Sequence, residues 1–457
     1  MQGDGDVTER LTEPTPPQVE RETAPKQDGE VRARWAWAEP SVWTERMLTA
    51  LETGVKGGVW FSLMDKVYGL RNLQAGFAQV RRNGGSGGVD HVTVERYERR
   101  LESELKALHD QLRTGAYTPQ AVRRAYIPKG KGQVRPLGIP TVRDRVAQTA
   151  LRNVLEPIFE REFAEHSYGF RPQRGAKMGL GRVAKLLKEG HRYVVDADIR
   201  GYFDNIPKQP LMERVKERVA DGRVLALLEA YLNQPILEEL KKWTPETGTP
   251  QGAVISPLLA NIYLNPLDHV MAGQGMEMVR YADDFVVLCK TRQEAEQALE
   301  TIRDWMEQAG LSLHPDKTRI AAMDGKDHFD FLGYRFKHIP GKGDYRYPRP
   351  KSEQKLRDAI RARTHRTNGH RLERIIADVN RVLRGWFEYF KHSHRTAFPP
   401  VDKWVRMRLR SILRKRHKRK GRGRGLDHRR WPNAYFAERG LFVLTTARVQ
   451  AARSPMG

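Results

Sequence analysis

The stretch "VRYADDFVVL", from Val279 to Leu288, places two adjacent aspartates between two apolar runs and constrains the fold more than any other feature. β-Branched and aromatic residues favour strands, and aspartate is common in tight turns because its side chain hydrogen-bonds to nearby backbone. The segment therefore predicts a β-hairpin whose tip carries Asp283 and Asp284. Carboxylates this close repel each other, which raises one pKa unless a cation lies between them. A bare Asp-Asp pair is more often a solvated turn, so its meaning depends on the rest of the chain.

The charge balance indicates the kind of partner. The 457 residues include 81 Lys and Arg against 56 Asp and Glu, a formal net charge of +25, which favours nucleic acid over a membrane surface as the partner. No apolar run is long enough to span a bilayer, and the N-terminus lacks the apolar stretch of a signal peptide. The single cysteine, Cys289, excludes an internal disulfide and a multi-cysteine zinc site. We therefore expect no membrane partner and a reducing compartment.

Composition and hydrophobic periodicity predict an α+β fold with several regions. Residues 1–30 hold eight acidic and three basic residues, four prolines and few large apolar side chains, which is typical of a disordered tail. Alternating strand and helix patterns follow, with residues 207–242 predicted to be helical and the chain after Pro350 helical again. The predicted regions are a disordered acidic tail (1–40), an N-terminal extension (41–120), two α+β units (121–190 and 191–338), a helical domain (351–398) and a basic segment (399–457).

A third carboxylate belongs with the hairpin. Asp198 ends a predicted strand in "DADIRGYFD", 85 residues before Asp283, and neighbouring strands would bring the three carboxylates to one sheet edge. Oxygen ligands of this kind suit a pair of Mg²⁺ ions, which in phosphoryl transfer activate an attacking hydroxyl and hold the leaving pyrophosphate. Such chemistry also needs cations on the outgoing phosphates. Lys129 and Arg135, in a predicted basic hairpin, and Lys317, in "HPDKT", are candidates, although each alone is more often a plain surface cation.

The ordered motifs resemble a known family. The chain contains, in order, "YIPKGKGQVRPLGIPTVRDRVAQ", "SYGFRPQRGA", "DIRGYFD", "GTPQGAVISPLLANI", "YADD", "FDFLGYRF" and "LRGWFEYF". In this order and number they resemble the reverse transcriptase of bacterial group II introns over nearly the whole chain after the tail. "NLQAGFAQVRRNGGSGGVD" is similar to the family's N-terminal extension, so its Gly-rich loop is interpreted as a template–primer contact.

The resemblance implies roles for particular residues in a right-hand polymerase of fingers, palm and helical thumb. By position, the implied metal ligands are Asp198, Asp283 and Asp284 with the Ile199 carbonyl. The implied substrate contacts are Lys129 and Arg135 on the triphosphate, Phe203 excluding the ribose 2′-OH, and Gln251 beside the incoming nucleotide. Lys317 is a candidate proton donor to the leaving pyrophosphate on chemical grounds. The implied cofactor is a pair of Mg²⁺ ions. The implied partners are the intron RNA, target DNA with its primer, and dNTPs.

The C-terminal part predicts nucleic-acid binding. Residues 371–392 have the apolar stripe of an amphipathic helix, and from Lys403 to Arg430 there are 14 Lys and Arg but one acid. Val405, Leu409 and Ile412 mark an apolar face in the first half of this stretch, which predicts a helix with a basic face. A solvated charge run is the simpler interpretation, but so many like charges favour a polyanion. The predicted nucleic-acid contacts are Arg384, Arg414, Lys415, Arg416, Lys418, Arg419 and Lys420.

Some family members end in an endonuclease domain with cysteine pairs and His-Asn-His residues. This chain has no second cysteine, so we expect the endonuclease-lacking branch and a bacterial cytoplasmic protein that joins the nucleoid when it acts on DNA. Two alternatives are a splicing-only RNA-binding maturase and a reverse transcriptase that serves a retron, a CRISPR system or phage defence. Intact carboxylates disfavour the first, and the maturase-like segment after Pro350 disfavours the second.

Overall fold

Helices dominate the N-terminal part. The structure, a computed structural model, describes residues 28–130, 133–239, 241–249, 252–325 and 327–453. The first helices are α1 (Asp28–Arg34), α2 (Glu45–Thr53), α3 (Met64–Tyr68), α4 (Leu70–Asn83), α5 (Val94–Glu98) and α6 (Leu101–Thr114). Val31 and Trp35 are buried in the main hydrophobic core. The predicted tail therefore does not extend to residue 40, because these apolar side chains anchor the chain from α1 onward; residues 1–27 lie outside the described ranges.

A four-stranded sheet with two long helices follows. The elements are β1 (Val122–Gly130), β2 (Gln133–Ile139), α7 (Val142–Glu160) and α8 (Ala176–Lys188). The strands β1 and β2 pair antiparallel, which confirms the predicted basic hairpin. Two short strands, β4 (Ile236–Glu238) and β5 (Lys241–Trp243), complete the order β2-β1-β4-β5. The helix predicted through residue 242 is therefore wrong at its end, because the parallel pairing of β4 with β1 replaces local helical bonding there.

The central sheet carries the predicted carboxylates. Its order is β6-β7-β3-β8, all pairs being antiparallel. The elements of this region are β3 (Tyr193–Asp198), α9 (Tyr202–Asn205), α10 (Lys208–Lys216), α11 (Gly222–Leu232), α12 (Ser256–Gly273), β6 (Glu277–Tyr281), β7 (Asp284–Cys289), α13 (Arg292–Gln308) and β8 (Arg319–Ala322).

Both faces of this sheet are buried. Successive side chains of a strand point to opposite faces, and apolar side chains lie on both faces here. Val195 and Phe285 point into the main core. Val194 and Val286 point into a second core, which they share with α8 and a three-stranded sheet of order β11-β10-β9. These three strands are β9 (His328–Phe331), β10 (Tyr334–Ile339) and β11 (Gly343–Pro348).

The C-terminal helices form one further core. They are α14 (Pro350–Arg363), α15 (Leu372–Phe390), α16 (Phe398–Arg416), α17 (Leu426–Arg430), α18 (Asn433–Glu438) and α19 (Leu444–Arg453). The amphipathic helix predicted at 371–392 is confirmed as α15. Leu383 of α15 and Leu409 of α16 belong to the same cluster as Leu444 of α19. A boundary between residues 398 and 399 would cut this core, so the helical domain and the basic segment are one unit. No described helix combines the length and the apolar character needed to cross a bilayer.

Candidate active site

The hairpin formed by β6 and β7 presents the two adjacent aspartates. Tyr281 and Asp284 are opposite each other in the register, so Ala282 and Asp283 form the two-residue turn. Ala282 has φ of +60°, a conformation that costs about 1–3 kcal/mol for a residue other than glycine. The predicted hairpin is confirmed, with Asp283 at its tip and Asp284 at the start of β7.

Asp198 faces this hairpin from the neighbouring strand. It is the last residue of β3 and is directly opposite Asp284, and cross-strand partners of this kind have Cβ atoms about 4.5–5.5 Å apart. The predicted meeting of these carboxylates at one sheet edge is therefore confirmed. Asp196 lies on the same face, two residues earlier, opposite Arg319 of β8.

Two of the three carboxylates, Asp283 and Asp284, lie in a buried environment that disfavours their charged form. Burial, with the neighbouring charges of Asp196 and Asp283, raises the pKa of Asp284 to about 7. Burial and the charge of Asp198 also raise the pKa of Asp283, although its own backbone N–H and the charges of Arg135 and Arg280 act against this shift. Carboxylates that repel one another in this way are stabilised by a cation between them.

Lys317 provides one such cation. Its Nζ donates to Oδ2 of Asp198 at 2.6 Å, and both side chains are about half exposed (57% and 41%). Within the described ranges, no three His, Cys, Asp or Glu side chains are arranged closely enough to hold a metal ion. Carboxylate oxygens are ligands that suit Mg²⁺. To bind an ion together, the three carboxylates would have to move closer to one another. The ammonium of Lys317 would compete with that ion for Asp198.

The backbone after β3 is fixed in place. Arg200 N donates to the Ser312 carbonyl at 2.9 Å, and His314 N donates to the Asp198 carbonyl at 2.7 Å. Neither bond uses the carbonyl of Ile199, whose side chain is buried. The role of that carbonyl as a metal ligand stays a prediction.

Gly169, in the motif "SYGFRPQRGA", lies against the back of the aspartate turn. A Cβ atom at this position would lie 2.2 Å from the backbone N of Ala282 and 2.8 Å from the carbonyl carbon of Tyr281. Its own carbonyl accepts a hydrogen bond from Asn261 Nδ2 at 2.8 Å. Only glycine permits this approach, which the sequence pattern did not reveal.

A buried arginine connects this contact to the turn. Arg280 is fully buried and donates through Nε to Asp268 at 2.7 and 3.0 Å. One terminal nitrogen donates to Asn261 Oδ1 and to the Ala282 carbonyl, both at 3.0 Å. This network, which we call the turn support, was not predicted. The available signal was an arginine within the apolar strand that precedes the aspartates.

The predicted substrate contacts are only partly described. Arg135 lies on β2, and its charge acts on Asp283, so the basic hairpin approaches the carboxylates. The ring of Phe203 is 6.4 Å from that of Phe170, which is also 6.4 Å from Tyr281. Phe170 is 48% exposed and was not predicted as a site residue. Gln251 and the side chain of Lys129 lie outside the described part of the chain.

The predicted C-terminal contacts divide into two groups. Some are engaged within the protein: Arg384 lies over the Phe442 ring, Arg414 pairs with Asp427 at 2.6 Å, and Arg416 donates to the His370 carbonyl. The other group comprises four exposed side chains, Lys415, Lys418, Arg419 and Lys420.

Two family profiles match the chain. Residues 127–336 match the reverse transcriptase (RNA-dependent DNA polymerase) family, and residues 353–431 match the maturase-specific domain of group II introns. The chain is 35% identical over 287 residues to Protein YkfC of Escherichia coli (strain K12), covering 54% of this chain and 75% of YkfC.

It is also 41% identical over 168 residues to the group II intron-encoded protein LtrA of Lactococcus lactis subsp. cremoris, covering 36% of this chain and 28% of LtrA. Among solved structures, a partial Cas6-RT-Cas1–Cas2 complex matches with 25% identity over 54% of this chain and 41% of that chain. The TM-score of this match is 0.36.

Proposed function

Since the chain belongs to the family of group II intron reverse transcriptases and maturases, we propose that this RNA-directed DNA polymerase binds its own intron RNA, assists its splicing and copies it into DNA during retrohoming. Its substrates would be dNTPs, a primer and target DNA, encountered in the bacterial cytoplasm and at the nucleoid. The observation that carries the catalytic part is the cross-strand pair of Asp198 and Asp284 beside the Asp283 turn.

In this proposal, Asp198, Asp283 and Asp284 hold two Mg²⁺ ions, with the Ile199 carbonyl as a further ligand. When bound, the ions supply the charge that activates the primer hydroxyl and neutralises the leaving pyrophosphate. The protein holds the three carboxylates on one sheet edge. Lys317, released from Asp198, provides a proton donor for the pyrophosphate. Phe203 excludes the ribose 2′-OH, Gln251 contacts the incoming nucleotide, and Lys129 and Arg135 hold its phosphates.

Arg135→Ala should raise the nucleotide KM about ten- to a hundredfold while leaving template affinity nearly unchanged. A charge-assisted contact to phosphate contributes about 1.5–3 kcal/mol, and Arg135 is close enough to act on Asp283. Steady-state primer extension against dNTP concentration measures the effect. Arg124→Ala is the matched control, because Arg124 lies in the same sheet over the Trp243 ring and should leave the KM unaltered. An unchanged KM in the Arg135 variant would refute the contact.

The DNA-binding part of the proposal rests on the exposed cations of the C-terminal unit. Changing Lys415, Lys418 and Lys420 together to Gln should make duplex DNA binding less salt-dependent, by about 0.9 in log–log slope per lost phosphate contact. Truncation before α16 would instead remove part of the hydrophobic core. Arg414→Gln is the control: because it unpairs the buried Asp427, it should lower the Tm more than it alters the slope. A slope equal to that of the unmodified protein would mean that the three lysines are only solvated.

The whole proposal is tested by separating its two activities. Changing Asp283 and Asp284 together to Ala should remove cDNA synthesis while leaving splicing of the flanking intron largely intact, because RNA binding needs basic surface and not carboxylates. Splicing and primer extension are measured on the same preparations. Arg384→Ala serves as the converse variant: Arg384 lies over the Phe442 ring in the C-terminal unit, and its loss should weaken splicing while leaving primer extension intact. Loss of both activities in a folded double-alanine variant would contradict separate sites.

A further inference from the structure

A pocket of about 400 Å³ lies where the central part of the chain meets the C-terminal helices. Its walls come from the end of α8, the hairpin of β10 and β11, the segment after α15, and α19. Four cationic side chains line it: Lys188, Arg346, Arg395 and Arg448.

The positive charge of this pocket is not balanced by acids. Asp344 is the carboxylate among the lining residues, and it is already engaged by Arg192 at 2.6 Å and by His338 at 2.9 Å. Within the described part of the chain, none of the four lining cations forms an ion pair with a carboxylate. A concentration of cations this close together is costly unless an anion joins it.

The positive charge of the pocket also affects the pKa of two histidines that line it. Burial and the charge of Arg346 lower the pKa of His392, and burial with the charges of Arg395 and Arg448 lowers the pKa of His394. Both imidazoles are therefore held towards the neutral form, in which they can accept or donate a hydrogen bond.

Aromatic rings stand beside the cations. The ring of Tyr345 is 4.6 Å from that of His394, edge to face, and both residues line the pocket. Aromatic rings next to a positively charged groove are the combination that binds single-stranded nucleic acid. The volume admits a small ligand and is too small for a duplex.

The pocket is remote from the carboxylates along the central sheet. Arg192, which holds Asp344, immediately precedes β3, whereas Asp198 ends that strand. Five residue steps at about 3.3 Å each separate the strand's ends by roughly 17 Å. A nucleotide bound here is therefore not the one being joined to the primer.

We propose that this pocket binds one nucleotide of a single-stranded nucleic acid, with its phosphate among the four cations and its base against Tyr345 and His394. The site is additional to the polymerase site. It would hold a strand at the junction of the central sheet and the C-terminal helices.

The test removes three cations whose side chains reach the pocket: Lys188, Arg395 and Arg448 are changed together to Gln. Arg346 is kept because it donates to the His392 carbonyl at 2.9 Å and lies over the Tyr334 ring, whereas the hydrogen bond from Arg448 to the Ser393 carbonyl is longer, at 3.5 Å. Fluorescent oligouridylate RNA and oligothymidylate DNA are titrated onto the full chain with the polymerase site saturated by unlabelled primer–template. We expect at least tenfold weaker binding of one or both strands, and a salt slope shallower by about 0.7 per lost phosphate. The strand that loses more affinity identifies the natural ligand as RNA or DNA.

The matched control changes three exposed cations elsewhere, Arg71, Lys106 and Arg303, to Gln, and should alter binding less than twofold. Primer extension on preannealed primer–template should be unchanged in both variants, so failure here is distinguishable from failure of the proposed polymerase function. Tyr345→Leu should weaken binding at least fivefold without changing the salt slope. Affinities and slopes equal to those of the control for both strands would overturn the proposal.

Discussion

Asp283→Asn should reduce DNA synthesis on a primed RNA template by at least about a thousandfold, equivalent to about 4 kcal/mol of barrier. Asparagine keeps the size of the side chain but removes the charge that a metal ion needs. The fold should tolerate the change, because burial and the charge of Asp198 already raise the pKa of Asp283. A neutral side chain relieves that repulsion, so the Tm should be unchanged or slightly higher.

The measurement is primer extension at several Mg²⁺ concentrations, with RNA affinity measured in parallel. Asp304→Asn, on the exposed side of α13, is the matched control and should retain full synthesis. Ordinary synthesis by the Asp283 variant at saturating Mg²⁺ would remove this residue from the metal site.

Asp268→Asn should destabilise the protein by about 3–5 kcal/mol, because it leaves the guanidinium of Arg280 buried beside a neutral partner. Arg280 is fully buried, and it also donates to the Ala282 carbonyl at 3.0 Å. The loss should therefore affect the aspartate turn as well as stability. Urea unfolding gives the stability change, and primer extension at a temperature where the variant is folded gives the effect on kcat.

A double variant separates the two effects. Changing Asp268 to Leu and Arg280 to Met together removes both charges, and replacing a buried ion pair by apolar residues of similar volume is often neutral or stabilising. Stability should recover in large part, while kcat should stay low because the hydrogen bond from Arg280 to the Ala282 carbonyl is lost. Recovery of full kcat in this double variant would show that the turn support contributes only stability.

The sequence predicted those parts of the site that depend on local patterns. The hairpin of β6 and β7 follows from β-branched residues on either side of Asp-Asp, and the position of Asp198 follows from its place at a strand end. The contact of Gly169 with Ala282 joins residues 113 positions apart, and local hydrophobic patterns in the sequence do not predict such a contact. The strand β4 was missed for the same reason, since it pairs with β1, a segment more than a hundred residues earlier.

In the basic segment, the high content of Lys and Arg drew attention away from the apolar residues that pack against the neighbouring helices. The 14 Lys and Arg between Lys403 and Arg430 suggested a separate DNA-binding tail, although Val405, Leu409 and Ile412 marked an apolar face. That face belongs to the same core as α14 and α15. Periodicity predicted the face correctly, but a single sequence does not reveal which neighbour covers it.

The single core beneath α14 to α19 determines what can be exchanged between relatives. Consider a chimaera with residues 351–398 from one protein and residues 399–453 from another. Its hydrophobic core would combine side chains from two proteins that were not selected to pack against each other. Leu383 and Leu409 would each meet foreign neighbours, and mismatched volumes in a close-packed interior typically cost 1–3 kcal/mol. Grafts should therefore cross over near Pro350, where β11 ends and α14 begins, which keeps this core whole. Trp386 and Phe390 of α15 also pack against the second core, so their neighbours there must be matched as well.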